Sequence, residues 1–198
     1  MKKLLLATRN KGKIKEMQIA LKDFEFEIIG LDDVDLPKIH DVEESAMTME
    51  GNAIIKAMDY GNKLGFLTLA DDGGLEVDGL DGRPGVFSAR YAPGTDKDRY
   101  LKLLNEMKNV PEEKRGAQFR LVIAIYDPES GKIRTCESLY RGKIAREPKG
   151  DEGFGYDPIF FNEEKNMTNA EMTSEEKNKV SHRGQALEKA IEILRKEF

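Results

Sequence analysis

The chain predicts an α/β fold built on a mixed sheet flanked by helices. Three observations carry that prediction. The N-terminal third alternates short apolar runs with apolar residues at helical spacing. A pair of alternating strands joined by a turn sits among those βα units, so the sheet is mixed rather than all parallel. Hydrophobic residues make up 39% and charged residues 35% of the 198 positions, which leaves enough apolar material for a packed core. The length fits one domain, and no linker, repeat or low-complexity segment divides it, so residues 1–198 are expected to form a single domain.

The elements follow in order. Leu4–Ala7 reads as a buried strand. Ile14, Met17, Leu21 and Phe24 then recur at helical spacing. Phe24, Phe26 and Ile28 alternate with Glu25 and Glu27, a second strand. An acidic loop from Asp32 to Glu44 surrounds Pro37. A helix over Thr48–Leu64 places Met49, Ala53, Ala57 and Leu64 on one face, and Phe66–Ala70 is the next strand. After a glycine-rich loop, a helix begins near Asp96, capped by Thr95 and Asp98, with Leu101, Leu104 and Met107 as its apolar stripe. Phe119–Tyr126 and Ile133–Tyr140 form the hairpin, turning at "DPESGK". "GFGYDPIFF" is a loop entering a strand. Thr173 and Glu176 match a capping box, and the last helix carries Leu187, Ala190, Ile191, Leu194 and Phe198 on one face.

Bulk properties narrow the function classes. A net charge of −5 argues against a general binder of nucleic acid or membranes, so an anionic ligand needs local cations or a metal. The single cysteine, Cys136, excludes an intrachain disulfide framework and fits a reduced, cytoplasmic setting. The N-terminal apolar run, Leu4 to Ala7, is too short for a signal peptide or a membrane span.

Four stretches carry chemistry. "ATRNKGKI" has the spacing of a phosphate-binding loop, but Ala7 replaces its first glycine and Ile14 its metal-binding hydroxyl, which disfavours a Walker ATPase. Backbone N–H groups at a helix start, with Lys11 and Lys13 nearby, still attract phosphate, and Thr8 and Asn10 add hydrogen bonds. An ordinary strand–helix turn with surface lysines has the same composition. Asp71 and Asp72 stand together at the end of a strand, where α/β sheets place ligands. A hard divalent cation would compensate them, with Asp41, Glu43 or Glu44 as a second carboxylate; a solvated acidic turn is the plainer reading. "GFGYDP" sets Phe154 and Tyr156 among glycines, suited to stacking on a base or to core packing. "SHRGQA" places His182 and Arg183 as donors near a helix start, where a cap followed by surface residues is the alternative. Together these form an anion cradle, a carboxylate pair, an aromatic platform and directional donors.

In this order, "TRNKGK", "NAIIKA", "ADDGGL", "GRPGVFSARY", "GFGYDPIF" and "SHRGQAL" resemble the family of inosine triphosphatase-type pyrophosphatases of non-canonical purine nucleoside triphosphates. The likeness spans nearly the whole chain. It implies an elongated mixed sheet in two lobes with a substrate cleft between them, and a homodimer. It also implies residue roles. Thr8, Arg9, Asn10, Lys11, Gly12, Lys13 and Lys56 would hold the triphosphate. Asp72 would accept the proton and bind Mg²⁺, with Glu43 as a further ligand. Phe154, Gly155, Tyr156, Asp157, Lys177, His182 and Arg183 would contact base, sugar or phosphate. Gly73 stands where the family often has serine, leaving backbone contact only. Ala46 stands where the acidic loop usually has glycine, which leaves Glu43 and Glu44 both open as the ligand.

The expected reaction is hydrolysis of ITP, dITP or XTP to the monophosphate and pyrophosphate, cleansing the nucleotide pool. Lys13, Lys56 and Lys177 would stabilise the leaving pyrophosphate. Asp72 would face the metal, with Asp71 turned away to support the loop, because successive strand residues face opposite sides. Two alternatives are a non-catalytic nucleotide-sensing module and a house-cleaning pyrophosphatase for modified pyrimidine nucleotides.

Overall fold

The computed structural model describes residues 2–21, 25–34 and 42–198. Phe24, Pro37 and Asp41, all part of the sequence reading, lie outside that set. The sheet has seven strands: β1 Lys3–Leu6, β2 Glu27–Gly30, β3 Leu67–Val77, β4 Gly116–Asp127, β5 Lys132–Ile144, β6 Phe160–Asn162 and β7 Met167–Thr168. Their spatial order is β2-β1-β3-β4-β5-β6-β7. β1 runs parallel to both β2 and β3, whereas β6 is antiparallel to β5 and β7, so the sheet is mixed as expected. The helices are α1 Lys11–Leu21, α2 Met49–Leu64, α3 Asp96–Glu106, α4 Ser174–Val180 and α5 His182–Glu197.

The chain divides into two compact units, each with its own core. The first comprises Met1–Asp72, Leu121–Ser138 and Arg183–Phe198; the second, Gly73–Arg120 and Leu139–His182. In the first unit, Leu4 and Leu6 of β1 pack with Met17 and Leu21 of α1 and with Leu187 and Leu194 of α5. The helical spacing read from the sequence therefore becomes burial. Each such side chain, removed from water, stabilises the fold by roughly 1.5–3 kcal/mol. α2 starts at Thr48, whose hydroxyl accepts the Gly51 N–H at 3.1 Å. It stops at Gly65, whose φ of 72° is left-handed and lets its N–H close back on the Gly61 carbonyl.

In the second unit, Leu75, Val77, Leu103, Phe119, Ile159 and Phe160 form the centre of the core. α3 carries the expected capping box of Thr95 and Asp98. Its apolar stripe holds at Met107, which is fully buried, but Leu103 is buried in place of Leu101, which is exposed. Leu104 packs against that core as expected, joined by Tyr100, so the stripe runs through positions 100, 103, 104 and 107.

β3 is the element that matters most for the site. The sequence predicts its end at Ala70, before the glycines. The strand instead continues through Asp71, Asp72, Gly73 and Gly74 to Val77. Glycine is needed at position 74 because another backbone crosses there: a Cβ on Gly74 would stand 2.1 Å from the Gly85 carbonyl oxygen.

Candidate active site

The parallel ladder between β1 and β3 stops at the Leu6–Leu69 pair. Asp71 and Asp72 thus lie within a strand but just past the end of its neighbour. The strand alternation sends the two carboxylates to separate partners. Asp71 accepts from Lys13 Nζ at 3.1 Å through Oδ1, with 3.0 Å to Oδ2, and from Arg183 Nη2 at 3.4 Å. Arg183 also pairs through Nη1 with Glu16 of α1. Asp72 accepts from Asn52 Nδ2 at 3.1 Å and lies 3.8 Å from Lys56 Nζ.

Burial and charge set the acidities. Burial pushes the Asp72 carboxyl up; Lys56 opposes that and Glu44 adds to it, and the net shift is upward. Asp71 is more deeply buried, but Lys13, Arg183 and Lys56 outweigh burial and hold it well below the usual carboxylate range. Burial also lowers Lys13, and the repulsion of Lys56 and Arg183 adds to it, so the pull of Asp71 does not restore the ordinary value. Burial pulls Lys56 down too, but Asp72, Asp71 and Glu44 together carry it above its ordinary value. Asp71 is therefore a fixed anion that orders cations, and Asp72 is the more basic of the two carboxylates.

The turn before α1 is already capped. The Asn10 side-chain carbonyl accepts the Gly12 N–H at 2.9 Å and the Lys13 N–H at 3.2 Å. Thr8 Oγ1 accepts the Asn10 N–H at 3.2 Å. Arg9, Asn10 and Lys11 are exposed, and Thr8, Gly12 and Lys13 are half-buried. The cradle expected from the sequence thus has two N–H groups occupied by Asn10, and an arriving phosphate would share or displace that carbonyl.

The acidic stretch reaches the site through Glu44 rather than Glu43. Glu44 Oε1 accepts from Lys56 Nζ at 2.9 Å, so one ammonium bridges Glu44 and Asp72. Glu43 is exposed. Among the described residues no three His, Cys, Asp or Glu gather into a ready metal cage. The donor set nonetheless suits a hard divalent ion. Two carboxylates already share a cation, and an ion such as Mg²⁺ uses one or two carboxylates plus substrate phosphates.

The remaining predicted residues belong to the second unit, apart from Arg183. Lys177 Nζ donates to Asp157 Oδ2 at 2.6 Å and lies 4.8 Å from the centre of the Phe154 ring. Tyr156 is buried and donates its hydroxyl hydrogen to the Ser88 carbonyl at 2.9 Å, so its ring belongs to the core. His182 is buried against Phe119, rings stacked 4.6 Å apart at 13°.

Asn52 and Glu16 were given no role from the sequence. Asn52 holds Asp72 by its amide hydrogen and accepts the Ala46 N–H at 2.9 Å, tying the acidic stretch to the carboxylate. The signal was present: Asn52 and Lys56 are four apart, one polar row on a helix whose neighbouring row is apolar. A Cβ on Gly51 would lie 2.7 Å from the Ala46 methyl, so the glycine at 51 accommodates the alanine at 46.

The model of the Ham1 family matches residues 4–193. A dITP/XTP pyrophosphatase of Desulforamulus reducens is 48% identical over 97% of this chain and 95% of its own length. One from Bacillus subtilis is 43% identical over 98% of both chains. Among solved structures, a HAM1 protein from Coxiella burnetii superposes with a TM-score of 0.88 at 41% identity, covering 98% of this chain and 99% of that one. The resemblance drawn from six ordered motifs is borne out along the full sheet and helix arrangement, and the chain belongs to the Ham1 family.

Proposed function

We propose that this chain, a nucleoside triphosphate pyrophosphatase of the Ham1 family, hydrolyses the non-canonical purine nucleotides ITP, dITP and XTP to monophosphate and pyrophosphate. One observation carries the assignment of the chemistry. Asp72 is a buried carboxylate of raised basicity, held by Asn52 and flanked by Lys56. In this mechanism Asp72 takes a proton from the attacking water as its oxygen bonds to the α-phosphorus and the bond to the bridging oxygen breaks. Lys13 and Lys56 offset the charge that collects on the departing pyrophosphate. Asp72 and Glu44 would hold Mg²⁺, which when bound would neutralise phosphate charge and acidify water. Phe154 stacks on the base, and Lys177, His182 and Arg183 supply donors. A net charge of −5 supports free nucleotides, rather than nucleic acid or membrane, as the partner. Among the described residues no helix is long and apolar enough to cross a membrane. The same reading has the protein act as a cytoplasmic homodimer that cleanses the nucleotide pool.

The test is a substrate panel with product identification, with and without Mg²⁺. The expected result is pyrophosphate plus monophosphate from ITP, dITP and XTP, with little from ATP or modified pyrimidine triphosphates. Orthophosphate plus diphosphate as first products would sink the mechanism. Binding without turnover would make the chain a sensor, and preference for pyrimidines would move it to a different house-cleaning role.

A further inference from the structure

The loop that carries Phe154 is held by two carboxylates from different elements. Asp157 Oδ2 accepts the Phe154 N–H at 2.8 Å and the Lys177 ammonium at 2.6 Å; its Oδ1 accepts from Asn169 Nδ2 at 3.2 Å. Asp157 therefore sets ring and ammonium together. The next N–H along the loop has a separate anchor. Asp96, the first residue of α3, accepts the Gly155 N–H through Oδ2 at 2.7 Å. Its other oxygen is ion-paired with Arg99, whose Nη2 donates to the Gly94 carbonyl at 3.2 Å. The loop needs this help because its backbone is unusual. Gly153 and Gly155 have φ of 77° and 65°, the left-handed region that glycine alone enters freely. A Cβ on Gly153 would also stand 2.2 Å from Asp157 Oδ2.

We propose that Asp96 is a positioning residue for the base platform: through the Gly155 N–H it fixes the peptide that aims the Phe154 ring. The proposal rests on the reading of Phe154 as the surface that meets the base. A plainer role for Asp96 is that of an acidic residue in the first turn of α3, favourable to the helix dipole and paired with Arg99. The two roles separate by chemistry. The dipole and the ion pair need the charge, whereas the Gly155 N–H needs only an acceptor oxygen.

The experiment compares Asp96→Ala, Asp96→Asn and Phe154→Ala in steady-state hydrolysis of ITP, together with the double variant Asp96→Ala/Phe154→Ala. Losing a hydrogen bond that a charged acceptor makes corresponds to about tenfold or more in affinity. Asp96→Ala is expected to raise KM for ITP about tenfold, with the loss in KM rather than kcat. Asp96→Asn keeps an acceptor and is expected to restore most of that loss. In the double variant, removing Asp96 should add little once the ring is gone. The proposal is overturned if Asp96→Ala leaves KM at the wild-type value, if Asn is as impaired as Ala, or if the two effects simply add. A raised KM in Phe154→Ala alone would sink the positioning role and leave the base platform standing. A wild-type KM in Phe154→Ala would remove the platform and the proposal with it. If Asp96→Ala does not fold, the Asn variant decides: a KM near wild type despite the lost charge supports the role, and a large rise in KM overturns it.

Discussion

Asn52 donates to Asp72 across 3.1 Å while its own carbonyl accepts the Ala46 N–H at 2.9 Å. One amide thus fixes both the carboxylate on β3 and the acidic stretch that carries Glu44. Asn52→Ala removes both bonds without adding bulk. A hydrogen bond to a charged group contributes about 1.5–3 kcal/mol, so kcat on ITP should fall roughly ten- to a hundredfold. Asn52→Asp should be worse, since it sets a like charge against Asp72. Wild-type kcat in Asn52→Ala would mean that Asp72 needs no such support.

Asp72→Asn keeps the size of the side chain and removes the base. Loss of a general base costs on the order of 10²–10⁴ in rate, to be read as kcat with saturating Mg²⁺. Burial, with Glu44 adding to it, raises the Asp72 carboxyl. Mg²⁺ held by that carboxylate would lower it again, so the acidic limb of the wild-type pH–rate profile should move to lower pH as Mg²⁺ is raised, with activity falling as pH drops through it. Turnover by Asp72→Asn at the wild-type rate would remove Asp72 from the chemistry.

Cys136 offers a check on the first unit that is independent of the site. Its thiol donates to the Ala186 carbonyl at 3.5 Å, and burial raises its pKa from 9.0 to about 11. Thiolate is the reactive form, so two pK units imply alkylation of native protein about a hundredfold slower than of unfolded protein near pH 8. The sign for stability follows. Between pH 9.0 and about 11 the unfolded thiol has lost its proton and the folded one has not, so this group's contribution falls as pH rises. Cys136→Ala should remove that component of the stability–pH curve. Equal alkylation rates for native and unfolded protein would show the thiol to be accessible.

Much of this arrangement was legible in the sequence because local signals and tertiary demands agree. Thr48, Thr95 and Thr173 cap helices where their hydroxyls precede helical spacing, and both hairpin strands form, the first of them buried on both faces from Leu121 to Tyr126. Three features were hidden for physical reasons. β3 extends through Gly73 and Gly74, residues of low strand propensity, and the Gly85 backbone that crosses at Gly74 comes from a later segment that no local signal encodes. The stripe of α3 was misread at one position, because Leu101 and Leu103 both fit a helical face beside Leu104 and Met107, and only packing selects Leu103. Arg115 is fully buried, donating to the carbonyls of Ile144, Met107 and Ala145, yet reads in sequence as one more surface cation. The candidate site was legible as residue types but not as partners. The pairing of Arg183 with Glu16 joins positions at opposite ends of the chain.

Arg183 is buried between Glu16 and Asp71, so its guanidinium has a set direction rather than a mobile one. Hypoxanthine and xanthine carry an oxygen acceptor at position six, where adenine carries an amino donor. A fixed donor aimed there pairs with the first two and meets a second donor on adenine. Leaving a buried donor unsatisfied costs roughly 1–3 kcal/mol, a preference of several-fold to more than a hundredfold against ATP. Arg183→Ala should therefore narrow the ratio of kcat/KM between ITP and ATP. The variant also deprives two buried carboxylates of their shared partner, and breaking such a pair destabilises by about 3–5 kcal/mol. A lower midpoint in urea is expected for that reason alone. The substrate ratio is insensitive to the folded fraction, because both nucleotides meet the same active molecules. A lower midpoint with an unchanged ITP-to-ATP ratio would assign Arg183 to ordering Asp71 and Lys13 and remove it from reading the base.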